Sequence, residues 1–314
     1  MIRRSMATAF LTHPDCLKHE MGANHPERPE RLTAIEDQLI ASGLGQHLAR
    51  HEAPLASDEQ LARVHPMEYV RAIRDAAPEE GSVHLDPDTA MNPYSLRAAL
   101  RAAGAAVLAT DLVMRGEADS AFCSVRPPGH HACRARPMGF CIFNNVAVAA
   151  RHARHAHGVE RVAIVDFDVH HGNGTEEIFQ NDPQVLMAST FQHPFYPYSG
   201  TEDPAPNMVN VPLAAGAGSS QFRKAVLESW LPALEGFKPQ LIVFSAGFDA
   251  HAEDDMAMLR FSDADYAWVT GQVKAVADRH AGGRMVSMLE GGYALSALGR
   301  SVVQHLRVMA GLDR

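Results

Sequence analysis

Residues 161–174, RVAIVDFDVHHGNG, decide how this chain reads. The run from Arg161 to Val165 is apolar and β-branched, as in a strand buried on both faces. Asp166, Asp168, His170 and His171 then follow in quick succession. Burying an unpaired charge costs several kcal/mol or more, so this strand end must hold something that compensates the carboxylates. Side chains alternate along a strand, which puts Asp166, Asp168 and His170 on one face and Phe167 and Val169 on the other. Carboxylate oxygens and an imidazole nitrogen suit Zn²⁺ at roughly 2.0–2.2 Å. A helix cap or turn explains one Asp after a strand, not two with histidines. GNG at 172–174 opens like a dinucleotide fingerprint, but Glu177 stands where the third glycine belongs.

Outward from this segment, similar runs occur at 8–12, 121–125, 185–190, 241–247 and 284–290. Helical patterns lie between them, near 27–43, 66–76, 94–115, 145–157, 219–236, 263–281 and 294–311. Ser262 reads as an N-cap, with Asp265 as its capping-box acid. Alternation of this kind predicts an α/β fold, a mainly parallel sheet with helices on both faces. No repeat or linker divides the sequence, so residues 1–314 read as a single domain.

Ligands of open α/β sheets bind outside the carboxyl ends of the strands. Here 121–125 leads to His130 and His131, 241–247 to Asp249 and His251, and 284–290 to Tyr293. Four runs thus deliver metal-binding or proton-transfer groups to one edge. Asp168, His170 and Asp249 are assigned as ligands of one ion, leaving a position for water or substrate. Spacing alone leaves open which two acids bind, and nitrogen–oxygen ligation also suits Fe²⁺, Co²⁺ or Mn²⁺. RHARHAH at 151–157 sets His152 and His155 on what reads as a solvated helix end.

Composition narrows the function. The 314 residues are 46% hydrophobic and carry a net charge of −9, which argues against a nucleic-acid partner. Cys16, Cys123, Cys133 and Cys141 form no CxxC pair and read as free thiols of a reducing compartment. MIRRSMATAFLTH lacks the apolar core of a secretory signal. No run approaches the roughly 18 apolar residues of a membrane span. A soluble, cytoplasmic protein without a membrane partner is expected.

RPPGHHA, MGFCIFNN, DFDVHHGNGT, SAGFDAH and EGGY, in this order, resemble the histone deacetylase superfamily, and class II deacetylases and bacterial acetylpolyamine amidohydrolases above all. HPERPERL at 25–32 is similar to the family's N-terminal segment. The resemblance runs from about residue 10 to residue 300. It implies the arginase-like fold with an eight-stranded parallel sheet, and zinc-dependent hydrolysis of N-acyl amines. It matches Asp168, His170 and Asp249 to the ligands of one Zn²⁺ per chain. His130 and His131 match the tandem histidines, with Asp166 paired to His130, and Tyr293 matches the tyrosine that binds the substrate carbonyl. Phe140 and Tyr196 match the aromatics of the acyl-lysine channel, the second commonly Phe. Gly139 matches the backbone carbonyl that meets the substrate amide. Asp166, Asp168, His170, Ser189 and Thr190 match a structural K⁺ site built partly from backbone oxygens. Asn173 replaces an Asp of class I relatives and leaves His131 without a carboxylate partner there.

The expected substrate is acetylated lysine in proteins or peptides, with acetylated polyamine as the alternative. Asp86, Asp88, Glu253, Asp254 and Asp255 are candidate rim acids for a distal ammonium. Two further functions are weighed, a binuclear manganese ureohydrolase and a non-catalytic acyl-lysine binding protein. Metal counting separates the first, and binding without turnover the second. A homo-oligomer whose loops narrow the entrance is a further expectation.

Overall fold

The computed structural model describes residues 7–313, and the first six residues of the stretch read for a secretory signal lie outside them. Its strands are β1 (Thr8–Thr12), β2 (Leu48–Glu52), β3 (Val83–His84), β4 (Ala90–Met91), β5 (Ser120–Cys123), β6 (Val162–Asp166), β7 (Val185–Gln192), β8 (Met208–Leu213), β9 (Leu241–Ala246) and β10 (Met285–Leu289). Eight form one sheet in the order β2-β1-β5-β10-β9-β6-β7-β8. Every pair in it is parallel. β3 and β4 make a small antiparallel hairpin.

The central strands β5, β10, β9 and β6 are buried along their whole length. Phe122, Ser287 and Phe244 lie side by side in register, on the face covered by helix Leu295–Met309. His305 of that helix bonds Ser287 Oγ at 2.9 Å and packs against both phenylalanine rings. Helices Ser95–Met114 and Asn145–His157 pack together as a second group against β5 and β9. Helix Asp263–Val276 begins at the Ser262 cap, where Asp265 accepts the Ser262 N–H at 2.9 Å. No described helix is long and apolar enough to cross a membrane.

Six strands agree with the sequence reading. The two missed members, β2 and β8, form the sheet's edges. Edge strands are half exposed, so LARHE and MVNVPL lack a sustained apolar run, and β8 tolerates Pro212 because its outer side needs no donor. The short helices Asp58–Ala62 and Asn173–Phe179 were also missed.

Candidate active site

The groups singled out in the sequence come from β5, β10, β9 and β6, four consecutive neighbours at the centre of the sheet. The strand-alternation reading needs correction, because β6 ends at Asp166. Asp168 and His170 stand on the following turn and are buried by its path. Phe167 does point the other way, against Phe244, Phe248 and Tyr266.

Asp168, His170 and Asp249 offer ligand atoms that all lie within 4.8 Å of one another. His170 Nδ1 is 3.0 Å from Asp168 Oδ1 and 3.4 Å from Asp249 Oδ2. Asp249 Oδ1 accepts the Val169 N–H at 2.9 Å, whereas Oδ2 is buried and accepts no hydrogen bond. A buried carboxylate oxygen without a donor is costly, and a cation held with Asp168 and His170 removes that cost. The donor set therefore fits Zn²⁺. Burial and then Asp168 push the Asp249 carboxyl up to about 6. Burial opposes charge on His170 too, but Asp168 and Asp249 hold it near 9. Gly291 makes this close approach possible, since a Cβ there would lie 2.0 Å from Asp249 Oδ2.

Beside the cluster, the His130 and His131 ring centroids are 4.0 Å apart, yet the two imidazoles differ. His130 Nδ1 meets Asp166 Oδ2 at 3.0 Å. Burial works against its charge, but Asp168 and Asp166 outweigh that and raise His130 to about 10. His131 Nδ1 meets Asn173 Oδ1 at 2.7 Å. Burial, then repulsion from His130 and His170, depresses His131 well below the ordinary imidazole range. The carboxylates thus favour charge on one ring, while burial and like charge disfavour it on the other.

These groups open into a cavity of about 160 Å³ lined by Phe140, Phe195, Tyr196, Met256, Tyr293 and Asp88, among others. Phe140 and Gly139 have φ of 68° and 57°, a left-handed pair. The β3–β4 turn holds them, with Asp88 Oδ1 accepting the Gly139 N–H and Thr89 Oγ1 the Phe140 N–H, both at 3.0 Å. Gly139 abuts the His131 ring so closely that a Cβ would come within 2.4 Å of it.

The histone deacetylase domain family matches residues 25–309. The chain belongs to the histone deacetylase family. A histone deacetylase-like amidohydrolase of Pseudomonas aeruginosa is 42% identical over 311 residues, covering 91% of this chain and 82% of that one. A probable deacetylase of Archaeoglobus fulgidus is 38% identical, covering 98% and 88%. Polyamine deacetylase HDAC10 of Homo sapiens is 36% identical, covering 98% of this chain and 48% of its own. Among solved structures, the HDA15 HD domain superposes with a TM-score of 0.93 at 35% identity, covering 98% and 89%.

This deacetylase-family site has supports that sequence reasoning missed. Glu290, two residues before Gly292, accepts the Gly129 N–H at 2.6 Å and the His130 N–H at 3.1 Å. Burial lifts its carboxyl to about 7. HPERPERL supplies a buried brace. Glu27 accepts Arg31 Nη1 at 3.0 Å and Arg126 Nη2 at 2.6 Å. Arg31 donates from Nε to Gly292 O at 2.7 Å and from Nη2 to Glu290 O, with its guanidinium 5.0 Å from the Tyr293 ring centroid. Phe195 stacks on His170 at 5.4 Å.

Several residues do other work than expected. His251 stays out of the cluster, with Nε2 3.2 Å from Asp263. His171 binds Glu176 at 2.6 Å and Ser199 at 2.8 Å. Asp254 is buried and accepts the Tyr293 and Ala294 N–H groups at 2.6 and 3.0 Å, and Glu253 pairs with Arg300 at 2.7 Å. Asp254 is therefore not free for a substrate ammonium, whereas Glu253 and Asp255 are exposed. Asp86 caps its own turn, taking the Asp88 and Thr89 N–H groups. His152 is buried, not solvated, and shares Asp111 Oδ1 with His157 at 2.8 and 2.7 Å. Arg63 donates to His152 Nδ1 at 2.8 Å, which puts the imidazole proton on Nε2 and makes the trio a hydrogen-bonded brace.

Proposed function

We propose that this chain is a zinc-dependent deacylase that hydrolyses the amide of acetyl-lysine in proteins or peptides, with the described residues acting as one catalytic domain. The buried, undonated Oδ2 of Asp249 beside Asp168 and His170 carries the reading. Those three residues would hold the ion. When bound, it supplies Lewis-acid polarisation and lowers the pKa of a water.

The chain's own groups do the rest. His131 is the base that takes the proton of the attacking water, and it later delivers a proton to the leaving amine. Its depressed pKa and the Asn173 contact keep Nε2 bare for this. His130 stays protonated against Asp166 and contributes a fixed positive charge. Tyr293 donates to the developing oxyanion. Phe140, Phe195, Tyr196 and Met256 exclude water from the aliphatic stem, and the Gly139 carbonyl meets the substrate amide.

The rim favours acetyl-lysine over acetylated polyamine. Among the five candidate acids, only Asp88 lines the cavity. A binuclear ureohydrolase is disfavoured because both Asp166 oxygens are taken, Oδ2 by His130 and Oδ1 by the Asp168 N–H at 3.1 Å. K⁺ is proposed between Asp166, Asp168, His170, Ser189 and Thr190, held partly by their backbone oxygens and so without competing for the carboxylates and imidazole already engaged. Asp166 and Ser189 are register partners, and Ser189 Oγ is buried without a hydrogen bond. All four cysteines are free and buried, in keeping with a reducing, cytoplasmic setting. Comparing kcat/KM for acetyl-lysyl peptides, acetylputrescine and acetylspermidine tests the reading. Peptide preference supports it, polyamine preference replaces the substrate class, and binding without turnover of any acyl amine overturns it.

A further inference from the structure

The side chain of Asn173 has a second set of contacts beyond His131. Its Nδ2 lies 3.3 Å from Met138 Sδ and 3.5 Å from Cys133 Sγ, both on the loop that leads to Gly139. An amide is chemically two-ended, and the end that faces His131 fixes the imidazole tautomer. With Oδ1 toward His131, Nδ1 carries the hydrogen and Nε2 keeps its lone pair. With Nδ2 toward His131, Nδ1 accepts, Nε2 carries the hydrogen, and no basic nitrogen faces the cavity. A carboxylate at this position would present two acceptors and face no such choice.

What surrounds the far end of the amide therefore matters. A thioether accepts a hydrogen bond and cannot donate one. Cys133 Sγ receives the Arg136 guanidinium at 3.6 Å, and its remaining lone pair can accept from Asn173 Nδ2 while the single S–H turns elsewhere. Two sulfur acceptors on one side suit the amide's NH₂ and leave its carbonyl for His131. We propose that Met138 and Cys133 are positioning residues that set the His131 tautomer through Asn173. This rests on His131 being the base of the deacylase reading above.

The test is a double-mutant cycle on zinc-loaded protein. Met138→Leu and Cys133→Ala, alone and combined, are made with Asn173 and with Asn173→Asp. Leucine nearly conserves the methionine volume, so packing changes little. The combined variant is expected to lower kcat about tenfold with KM nearly constant, a part of what a general base contributes. In the Asn173→Asp background the same pair should change kcat by less than about twofold. Imidazole ¹⁵N spectra should show His131 moving from the Nδ1–H form toward Nε2–H in the Asn173 background only. Equal losses in both backgrounds, or an unmoved tautomer, overturn the proposal. A wild-type protein inactive on every acyl amine overturns the functional reading instead, and the tautomer shift then decides this claim alone.

Discussion

Removing one oxygen, by Tyr293→Phe, separates chemistry from folding at this site. Among the described residues, the Tyr293 hydroxyl makes no hydrogen bond, while the backbone N–H is held by Asp254 at 2.6 Å. The ring has Arg31 on it at 5.0 Å and Phe140 edge-on at 6.1 Å. Phenylalanine keeps every one of those contacts, so the melting temperature should stay within about 2 °C of wild type. The transition state loses a donor to the oxyanion, worth about 2.7–4 kcal/mol. That corresponds to a fall in kcat of roughly 10²–10³-fold, with KM little changed because the donor acts on charge that develops only in the reaction. Steady-state hydrolysis of an acetyl-lysyl peptide by zinc-loaded protein measures it, with circular dichroism melts as the folding control. Turnover within about threefold of wild type would refute the role given to Tyr293.

The buried Glu27 carboxylate is opposed by burial but held well below the usual range by Arg126, His19 and Arg31. A depressed folded-state pKa gives stability that is present above about pH 4.5 and lost as pH falls through the folded value. Glu27→Gln should therefore cost about 3–5 kcal/mol near pH 7, and urea midpoints of the two proteins should converge on acidification; a constant gap would contradict this. Gly291→Ala would drive a Cβ to 2.0 Å from Asp249 Oδ2 and 2.7 Å from Asp168 Oδ2. Zinc affinity should fall about 10–100-fold by competition with a chelator, and unchanged affinity would contradict the described packing. K⁺ at about 100 times its Kd should stabilise wild type by about 2.7 kcal/mol relative to a bulky organic cation. Ser189→Ala should lose most of that gain, and an equal gain would remove Ser189 from the proposed site.

Much of this was readable in the chain because the central strands are continuous apolar runs that end in chemistry. DFDVHH, GFDAH and HH follow the carboxyl ends of β6, β9 and β5, with Asp168, His170 and Asp249 within four residues of their strands and His130 and His131 seven and eight residues past theirs. What the sequence hid was distance. Glu290 stands inside EGGY, but its partners are backbone N–H groups 161 and 160 residues earlier, and no local pattern announces them. Asp254 looks like one more solvated acid in HAEDDMAM until the fold brings the Tyr293 backbone onto it. His152 reads as solvated because its partners, Asp111 and Arg63, lie on other helical segments. The edge strands β2 and β8 escaped notice because half exposure erases the apolar signal.

Counting metal in purified protein tests the account at its root. Elemental analysis of wild type after zinc loading and desalting should give one ion per chain and acetyl-lysine hydrolysis that chelation abolishes and zinc restores. Asp249→Ala should retain neither. One tightly held ion in Asp249→Ala, or two in wild type, would contradict a single site built from Asp168, His170 and Asp249.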